Sequence, residues 1–357
     1  MPRTVRRHGG DPGVSVEPSP ASASDPRLER FLREQGFLRP DETARFTPLA
    51  GGVSSDIWRV DLPDGRTICI KRALPKLKVA ADWYAPVSRN ACEWAWIEFA
   101  ARHVPAAVPK PLAHDAEAGL FAMEYLAPED HPVWKRQLLD GQVEPATAAA
   151  VGRVLATLHL ASSRDVAVER AFDTGANFHA LRLEPYLLAT ARVHPALAPA
   201  LEALVESTAN KRLALVHGDV SPKNILVGPR GPVFLDAECA WYGDPAFDIA
   251  FCLNHLLLKC LVRPNEREAL RRSFEAFVDA YFLQARFEPR VGLESRAASL
   301  LPGLFLARID GKSPVEYLTG DRDRELVRKA AAPMILRPPV CLAEVLARWL
   351  AALAAAT

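Results

Sequence analysis

The spacing of apolar and polar residues changes character about 125 residues into the chain. Over 46–73, short apolar runs alternate with polar positions around turn residues, which predicts a β-hairpin with a glycine-rich entry at 51–55. The residues of 91–103 predict a helix, and the apolar run at 120–125 predicts a strand. The first part of the chain is therefore predicted to be a small antiparallel sheet with one helix.

The rest of the chain shows mainly helical spacing. The segment 145–161 has proline in its first turn and repeats apolar residues at helical intervals. Only the block 213–236 interrupts this pattern, because two strand-like runs at 225–227 and 233–235 flank a turn. Together these patterns predict an α+β protein whose second part is larger and mainly helical.

The domain boundaries follow from these changes in pattern. Residues 1–26 are rich in Pro, Ser, Gly and Arg, so we expect a disordered tail. The remaining chain is predicted to divide into an N-lobe at 27–125 and a C-lobe at 126–357. An apolar content of 49% with 24% charged residues is ordinary for a soluble globular protein.

Charge and cysteine usage limit the class of partner. Lysine plus arginine (44) nearly equals aspartate plus glutamate (43), so we expect neither nucleic acid nor a membrane surface as partner, and favour a small-molecule substrate. No apolar run approaches the roughly 18 residues of a membrane span. The six cysteines form no CxxC pair, which favours reduced thiols in a cytoplasmic protein. The sequence leaves the oligomeric state open.

The strongest chemical signal lies at 217–236. His217-Gly218-Asp219 is followed by Asn224 five residues after the aspartate, and Asp236 ends an apolar run. A carboxylate that accepts a hydroxyl proton, an amide oxygen and a second carboxylate are what a kinase needs beside a magnesium-bound phosphate. Asp219 is therefore the candidate base, and ATP and Mg²⁺ are the expected cofactors.

A second pair of residues fits the phosphates of a nucleotide. Lys71 lies on a predicted strand, and Glu93 lies on the apolar face of the predicted helix, which suits a Lys–Glu ion pair at the α and β phosphates. One alternative is that Glu93 forms a capping box with Asn90 at the helix start. Glu98 is the other possible partner for the lysine.

Two further segments are candidates for nucleotide contacts. Gly52, Ser54 and Ser55 offer backbone N–H groups and small hydroxyls to phosphate oxygens. Backbone groups between Glu124 and Leu126 follow a strand and could pair with an adenine edge, although a simple linker is an equally good interpretation.

Three polar residues near the catalytic loop complete the candidate site. Glu238 follows Asp236 by two positions and is a further candidate metal ligand. Asp248 lies at a predicted helix start, where its carboxylate can accept backbone N–H groups and brace the catalytic loop. His217 is expected to brace the same loop rather than to carry protons.

These residues resemble the aminoglycoside phosphotransferase and choline kinase-like superfamily, whose HGDxxxxN loop and following metal-binding aspartate match 217–224 and Asp236. The likeness extends over about residues 45–320 toward the methylthioribose kinase branch. The residues that carry this closer likeness are Lys71-Arg72-Ala73-Leu74-Pro75, Trp83, Arg89, Glu93, Asp236 to Gly243, Phe247-Asp248-Ile249 and Arg308-Ile309-Asp310-Gly311.

The resemblance implies a bilobal protein-kinase-like fold with Asp219 as catalytic base and Lys71 with Glu93 at the nucleotide phosphates. It also implies an adenine-binding hinge at 123–126. The metal ligands that it implies are Asn224, Asp236 and Glu238.

The acceptor is less well defined. The methylthioribose kinase branch has a serine where Asn224 stands and an arginine pair where this chain has Ala307-Arg308, so Arg308 is a candidate substrate contact. The expected acceptor is a hydroxyl of an aminoglycoside-like compound, a sugar or an amino alcohol. A nucleotide-binding pseudokinase that acts as a scaffold is an alternative. A protein kinase is disfavoured because 236–255 contains no DFG sequence.

Overall fold

The computed structural model describes residues 25–49, 55–74 and 89–356. Of the predicted tail at 1–26, residues 1–24 therefore lie outside the described residues, as do Gly52 and Ser54. The first helix, α1 (Pro26–Glu34), begins after Asp25, whose carboxylate accepts the N–H of Arg27 at 3.0 Å and caps the helix.

Five antiparallel strands form the N-terminal sheet in the order β1-β2-β3-β5-β4. Their bounds are β1 (Arg45–Pro48), β2 (Ser55–Asp61), β3 (Thr67–Ala73), β4 (Pro111–Asp115) and β5 (Leu120–Glu124). Because side chains alternate along β3, Ile68 and Ile70 pack against α1, whereas Cys69 and Lys71 face helix α2 (Arg89–His103). The sheet thus presents Lys71 on the face that the helix covers.

The start of α2 differs from the sequence-based prediction. The helix begins at Arg89, so Asn90 lies inside it and is not the N-cap. The side chain of Glu93 bonds to Lys71 instead of returning to the helix start. The capping-box interpretation is therefore wrong, and a tertiary ion pair takes its place.

The second part of the chain is mainly helical. Its helices are α3 (Trp134–Leu139), α4 (Pro145–Ser162), α5 (Val166–Ala171), α6 (Gly175–Phe178), α7 (Ala189–Val193), α8 (Ala198–Asn210), α9 (Ala246–Val262), α10 (Arg267–Gln284), α11 (Arg290–Asp310), α12 (Asp321–Leu336) and α13 (Leu342–Ala355). A π-helix, His179–Leu188, joins α6 to α7. The predicted α+β class, with a small antiparallel sheet followed by a larger helical part, is confirmed.

Two short antiparallel pairs interrupt these helices. β6 (Ala214–Val216) pairs with β9 (Trp241–Gly243), and β7 (Ile225–Gly228) pairs with β8 (Gly231–Phe234). The β7–β8 pair forms where the sequence predicted a hairpin, whereas the β6–β9 pair was not predicted. Among the helices of the described ranges, none has the length and apolar content that a membrane crossing requires.

Helices α4 and α10 approach each other closely at one glycine. A Cβ atom on Gly152 would lie 2.6 Å from the backbone oxygen of Phe277, which is closer than real Cβ contacts allow. The absence of a side chain at this position therefore sets the distance between the two helices.

We expect Gly152→Ala to lower the free energy of unfolding by about 1–3 kcal/mol, because the methyl group would force α4 and α10 apart. Gly292→Ala is the matched control, since Gly292 is exposed in the first turn of α11 and its Cβ would meet only the Arg296 side chain, at 3.7 Å. That control is expected to gain up to about 1 kcal/mol from helix propensity. Urea denaturation measures both, and equal stability of Gly152→Ala and the parent chain would contradict the close approach.

Candidate active site

The β7–β8 hairpin brings the two halves of the candidate site together. Ile225 pairs with Phe234 at its open end, and the N–H of Leu235 donates to the carbonyl of Asn224 at 2.9 Å. Asn224 therefore precedes one strand at the same end of the hairpin where Asp236 follows the other. The hairpin thus brings Asn224 and Asp236 to the same end of its two strands.

A buried carboxylate holds the catalytic loop. Asp248, in the first turn of α9, accepts the N–H of His217 at 2.7 Å and that of Gly218 at 2.8 Å. Nε2 of His159 lies 3.3 Å from Oδ2 of the same carboxylate. The N–H of Asp219 donates to Nδ1 of His217 at 3.1 Å, and burial lowers the pKa of His217, which favours a neutral ring. Both His217 and Asp248 therefore occupy bracing positions.

Two residues of the site have left-handed backbone. Gly218 has φ +78, and a Cβ there would lie 2.8 Å from the oxygen of Cys239, so only glycine fits. Asp236 has φ +66, a conformation that aspartate tolerates better than most residues. Left-handed non-glycine residues recur at functional sites, where the surrounding contacts hold them in place.

Two cations flank the carboxylate of Asp219. The Nη2 atom of Arg182 lies 2.8 Å from its Oδ2, and Nζ of Lys223 lies 3.1 Å from the same oxygen. Burial alone would raise the pKa of Asp219, but the two cations outweigh it and hold the pKa well below its usual range. Within the described ranges, the other oxygen, Oδ1, is buried and has no hydrogen-bond partner. The carboxylate is thus charged and has one oxygen ready to accept a proton donor.

Sequence analysis missed Arg182, whose position depends on the π-helix. Pro185 has no N–H to direct at the carbonyl of Leu181, and Nη1 of Arg182 donates to that carbonyl at 2.7 Å. Its Nε donates to the oxygen of Gly218 at 2.5 Å. Pro185, in the part of the chain with mainly helical spacing, was the available sign of irregular backbone, but nothing in the local sequence indicates which carboxylate the arginine contacts.

Lys71 joins three elements at the centre of the site. Its ammonium lies 2.8 Å from Oε1 of Glu93 on α2 and 2.5 Å from Oδ1 of Asp236. Burial alone would lower the pKa of Lys71, but the two carboxylates outweigh it and raise the pKa. Burial also raises the pKa of Glu93, against the effect of Lys71. Glu98, the alternative partner, is exposed.

Asn224 and Asp236 have the donor chemistry for a hard cation. Asn224 uses its amide nitrogen to donate to the backbone oxygen of Asp219 at 3.2 Å, which leaves its Oδ1 as an acceptor. Oδ1 of Asp236 accepts from Lys71. Amide and carboxylate oxygens, such as those of Asn224 and Asp236, are suitable ligands for Mg²⁺. Nε of Arg89 lies 3.0 Å from Oε2 of Glu238, so the metal role predicted for Glu238 stays a prediction. Clusters of three or more His, Cys, Asp or Glu that could hold a metal alone do not occur in the described ranges.

The predicted nucleotide contacts outside this centre are only partly described. Ser55 is buried at the start of β2, whereas Gly52 and Ser54 lie outside the described residues. Glu124 ends β5 and donates its N–H to the oxygen of Lys110 at 2.9 Å. Leu126 follows the strand and is half-buried. The hinge and glycine-rich segment therefore remain predictions.

Arg308 contacts the same aromatic ring as the arginine that binds Asp219. Its Nη1 donates to the hydroxyl of Tyr186 at 3.1 Å and to that of Ser313 at 3.0 Å. The guanidinium groups of Arg308 and Arg182 lie 5.5 Å and 5.8 Å from the centre of the same Tyr186 ring. The predicted substrate contact is therefore one aromatic ring away from the arginine that binds Asp219.

Two methylthioribose kinases are similar to this chain in sequence. A methylthioribose kinase of Bacillus cereus is 24% identical over 297 residues, which cover 71% of this chain and 71% of that protein. A methylthioribose kinase of Escherichia coli is 29% identical over 267 residues, covering 62% of this chain and 63% of that protein. These relatives confirm the resemblance drawn from the sequence.

A solved structure shows the same fold. An amicoumacin kinase in complex with AMP-PNP and Ca²⁺ aligns with a TM-score of 0.52 at 17% identity, covering 89% of this chain and 95% of that chain. The bilobal, kinase-like fold is thereby confirmed. The model of the phosphotransferase enzyme family matches residues 45–291, which is more than half of the chain. The chain therefore belongs to the phosphotransferase enzyme family, whose members are small-molecule kinases.

Proposed function

We propose that this protein transfers the γ-phosphoryl group of ATP to a hydroxyl of a small molecule in a Mg²⁺-dependent reaction, with Asp219 as the base. The observation that carries the proposal is the buried carboxylate of Asp219, which two cations keep charged while its Oδ1 has no partner among the described residues. A charged carboxylate with one available oxygen is suited to orient an acceptor hydroxyl.

The donor side of the reaction is built around Lys71. Its ammonium bridges Glu93 and Asp236, and a bound nucleotide phosphate would replace the contact to Asp236. Oxygens of Asn224 and Asp236 would hold Mg²⁺, which neutralises charge on the transferred phosphoryl group when bound. We assign nucleotide binding to 27–125 and phosphoryl transfer to 126–357, with the Glu124–Leu126 segment as the adenine hinge.

The acceptor side is built around Asp219. The acceptor hydroxyl donates a hydrogen bond to Oδ1, which aims its oxygen at the γ-phosphorus. As the new O–P bond forms, the bond from the γ-phosphorus to the bridging oxygen breaks, ADP leaves, and the hydroxyl proton passes to Asp219. Lys223 and Arg182 hold Asp219 in place, and because they lower its pKa, the carboxylate serves mainly to position the hydroxyl until late in the transfer.

Replacing the base tests this assignment. Asp219→Asn is expected to lower kcat by about 10²- to 10⁴-fold, because the amide cannot take the hydroxyl proton. Coupled ADP release measures this against a panel of aminoglycosides, methylthioribose, other sugars and amino alcohols. Asp279→Asn is the matched control, since that aspartate is exposed on α10 and should leave turnover unchanged. Unchanged turnover in Asp219→Asn would make the assignment of the base wrong.

Neutralising the lysine tests the nucleotide site. Lys71→Met is expected to weaken binding of a non-hydrolysable ATP analogue by about 10- to 100-fold, since charged hydrogen bonds contribute roughly 1.5–3 kcal/mol. Isothermal titration calorimetry gives the dissociation constant directly. Lys110→Met serves as control because Lys110 is exposed. Equal affinity of Lys71→Met and the parent protein would remove Lys71 from the phosphate site.

A further inference from the structure

Two buried cations beside the active site have no carboxylate partner among the residues that the structure describes. Arg308 on α11 is 7% exposed and Lys259 on α9 is 1% exposed, and neither forms an ion pair with any described residue. Arg308 donates only to neutral oxygens, those of Tyr186 and Ser313. Lys259 lies 4.9 Å from the centre of the Tyr317 ring. Burying a cation without a counter-charge is costly, and arginine cannot lose its proton to avoid that cost.

The same region contains unsatisfied polar atoms. Among the described residues, Nε of Arg308, Nε2 of His255 and the hydroxyl of Tyr317 are buried and have no hydrogen-bond partner. Burial, together with Arg308 and Lys259, lowers the pKa of His255 well below its usual value, which favours a neutral ring. Buried polar groups are normally satisfied, so three unsatisfied groups beside two unpaired cations indicate a missing ligand.

The carboxylates of the neighbourhood are already engaged. Glu316, whose charge acts on Lys259, pairs with Lys135 of α3. Asp310, at the end of α11, pairs with Arg328 at 2.7 Å. The counter-charge for Arg308 and Lys259 must therefore come from outside the described residues.

This cluster is continuous with the catalytic base. Arg182, which binds Asp219, contacts the ring of Tyr186 from one side, and Arg308 contacts the same ring. The ring of Phe251 lies 5.5 Å from those of both Tyr186 and His255, which links the histidine to the same stack. A ligand bound at the cluster would thus lie on the acceptor side of Asp219.

We infer that Arg308, Lys259, His255 and Tyr317 form a subsite for an anionic group of the acceptor, which is therefore a small hydroxy compound that carries a carboxylate or a phosphate. The inference rests on the proposed kinase function and narrows its substrate class. Guanidinium and ammonium groups bind carboxylate and phosphate oxygens strongly when water is excluded. A polycationic acceptor such as an aminoglycoside would instead face two like charges.

Small polyols that carry an anionic, a neutral or a cationic group test the substrate class. We expect ADP release to rank glycerate or glycerol 3-phosphate at least tenfold above glycerol in kcat/KM, and 3-aminopropane-1,2-diol below glycerol. The preferred anion, carboxylate or phosphate, identifies the group that the subsite takes. Lys259→Met and Arg308→Met should each lower the preference in kcat/KM for the anionic acceptors over glycerol by tenfold or more. Equal or faster turnover of the cationic compound would overturn the inference.

A binding measurement separates this inference from the kinase proposal. Inorganic phosphate and acetate, each at matched ionic strength, are expected to raise the Tm of the parent protein, and at least one of these shifts should be lost in Lys259→Met. Lys329→Met is the control, because Lys329 is exposed on α12. If the anion shift depends on Lys259 but no acceptor releases ADP, the subsite stands and the kinase proposal fails. An anion shift of the same size in Lys259→Met and Lys329→Met would overturn the subsite.

The stability of the ligand-free protein gives a further prediction. Burial and the nearby charges of Lys135 and Arg308 lower the pKa of Lys259 to about 7, although Glu316 acts to raise it. In the unfolded chain the pKa of a lysine is about 10.4. Between these two pKa values the unfolded chain binds more protons than the folded protein. The destabilisation caused by Lys259 is therefore complete below about pH 7 and decreases as the pH rises toward the unfolded pKa. Lys259→Met should therefore raise the Tm most at about pH 6 and least at about pH 10. A variant less stable than the parent at the lower pH would contradict an unpaired buried cation.

Discussion

The fully buried carboxylate of Asp248 determines where the catalytic loop lies. It accepts two successive backbone N–H groups, those of His217 and Gly218, at the point where the chain leaves β6 and no strand partner is available. Buried backbone donors need acceptors, and a charged acceptor in the first turn of a helix also benefits from the helix dipole. Asp219 follows Gly218 directly, so these two hydrogen bonds also fix its position. They thereby set its distance from Asn224 and Asp236 at the open end of the β7–β8 hairpin.

Charges in the cleft are paired across different structural elements. Lys71 on β3 contacts carboxylates from α2 and from the loop after β8, and Arg182 on the π-helix contacts the catalytic loop. Each buried ion pair therefore fixes two elements relative to each other as well as compensating a buried charge. Arg308 and Lys259 depart from this pattern, and this departure indicates where the protein needs a charge that its own residues do not supply.

Much of this arrangement could be predicted from the sequence, because it depends on local spacing. The alternation of β3 placed Lys71 on the inner face, and the hairpin after Asn224 placed Asp236 opposite the catalytic loop. Contacts that depend on long-range packing could not be predicted. Arg182 is 37 residues from Asp219 in sequence, and no periodicity relates the two. The start of α2 was misplaced because a tertiary ion pair, not a local cap, engages Glu93.

Because Arg182 lies on the π-helix His179–Leu188, its position in the active site depends on the number of residues in that segment. A π-turn contains more residues than an α-turn, and each α-helical residue advances the side-chain direction by about 100°. Deleting one residue between Arg182 and Leu188 would turn the side chains before the deletion by about 100° relative to those after it, so Arg182 could not bind Asp219 while the residues after the deletion keep their places. The number of residues in this segment, and not only their types, therefore decides whether Arg182 reaches Asp219.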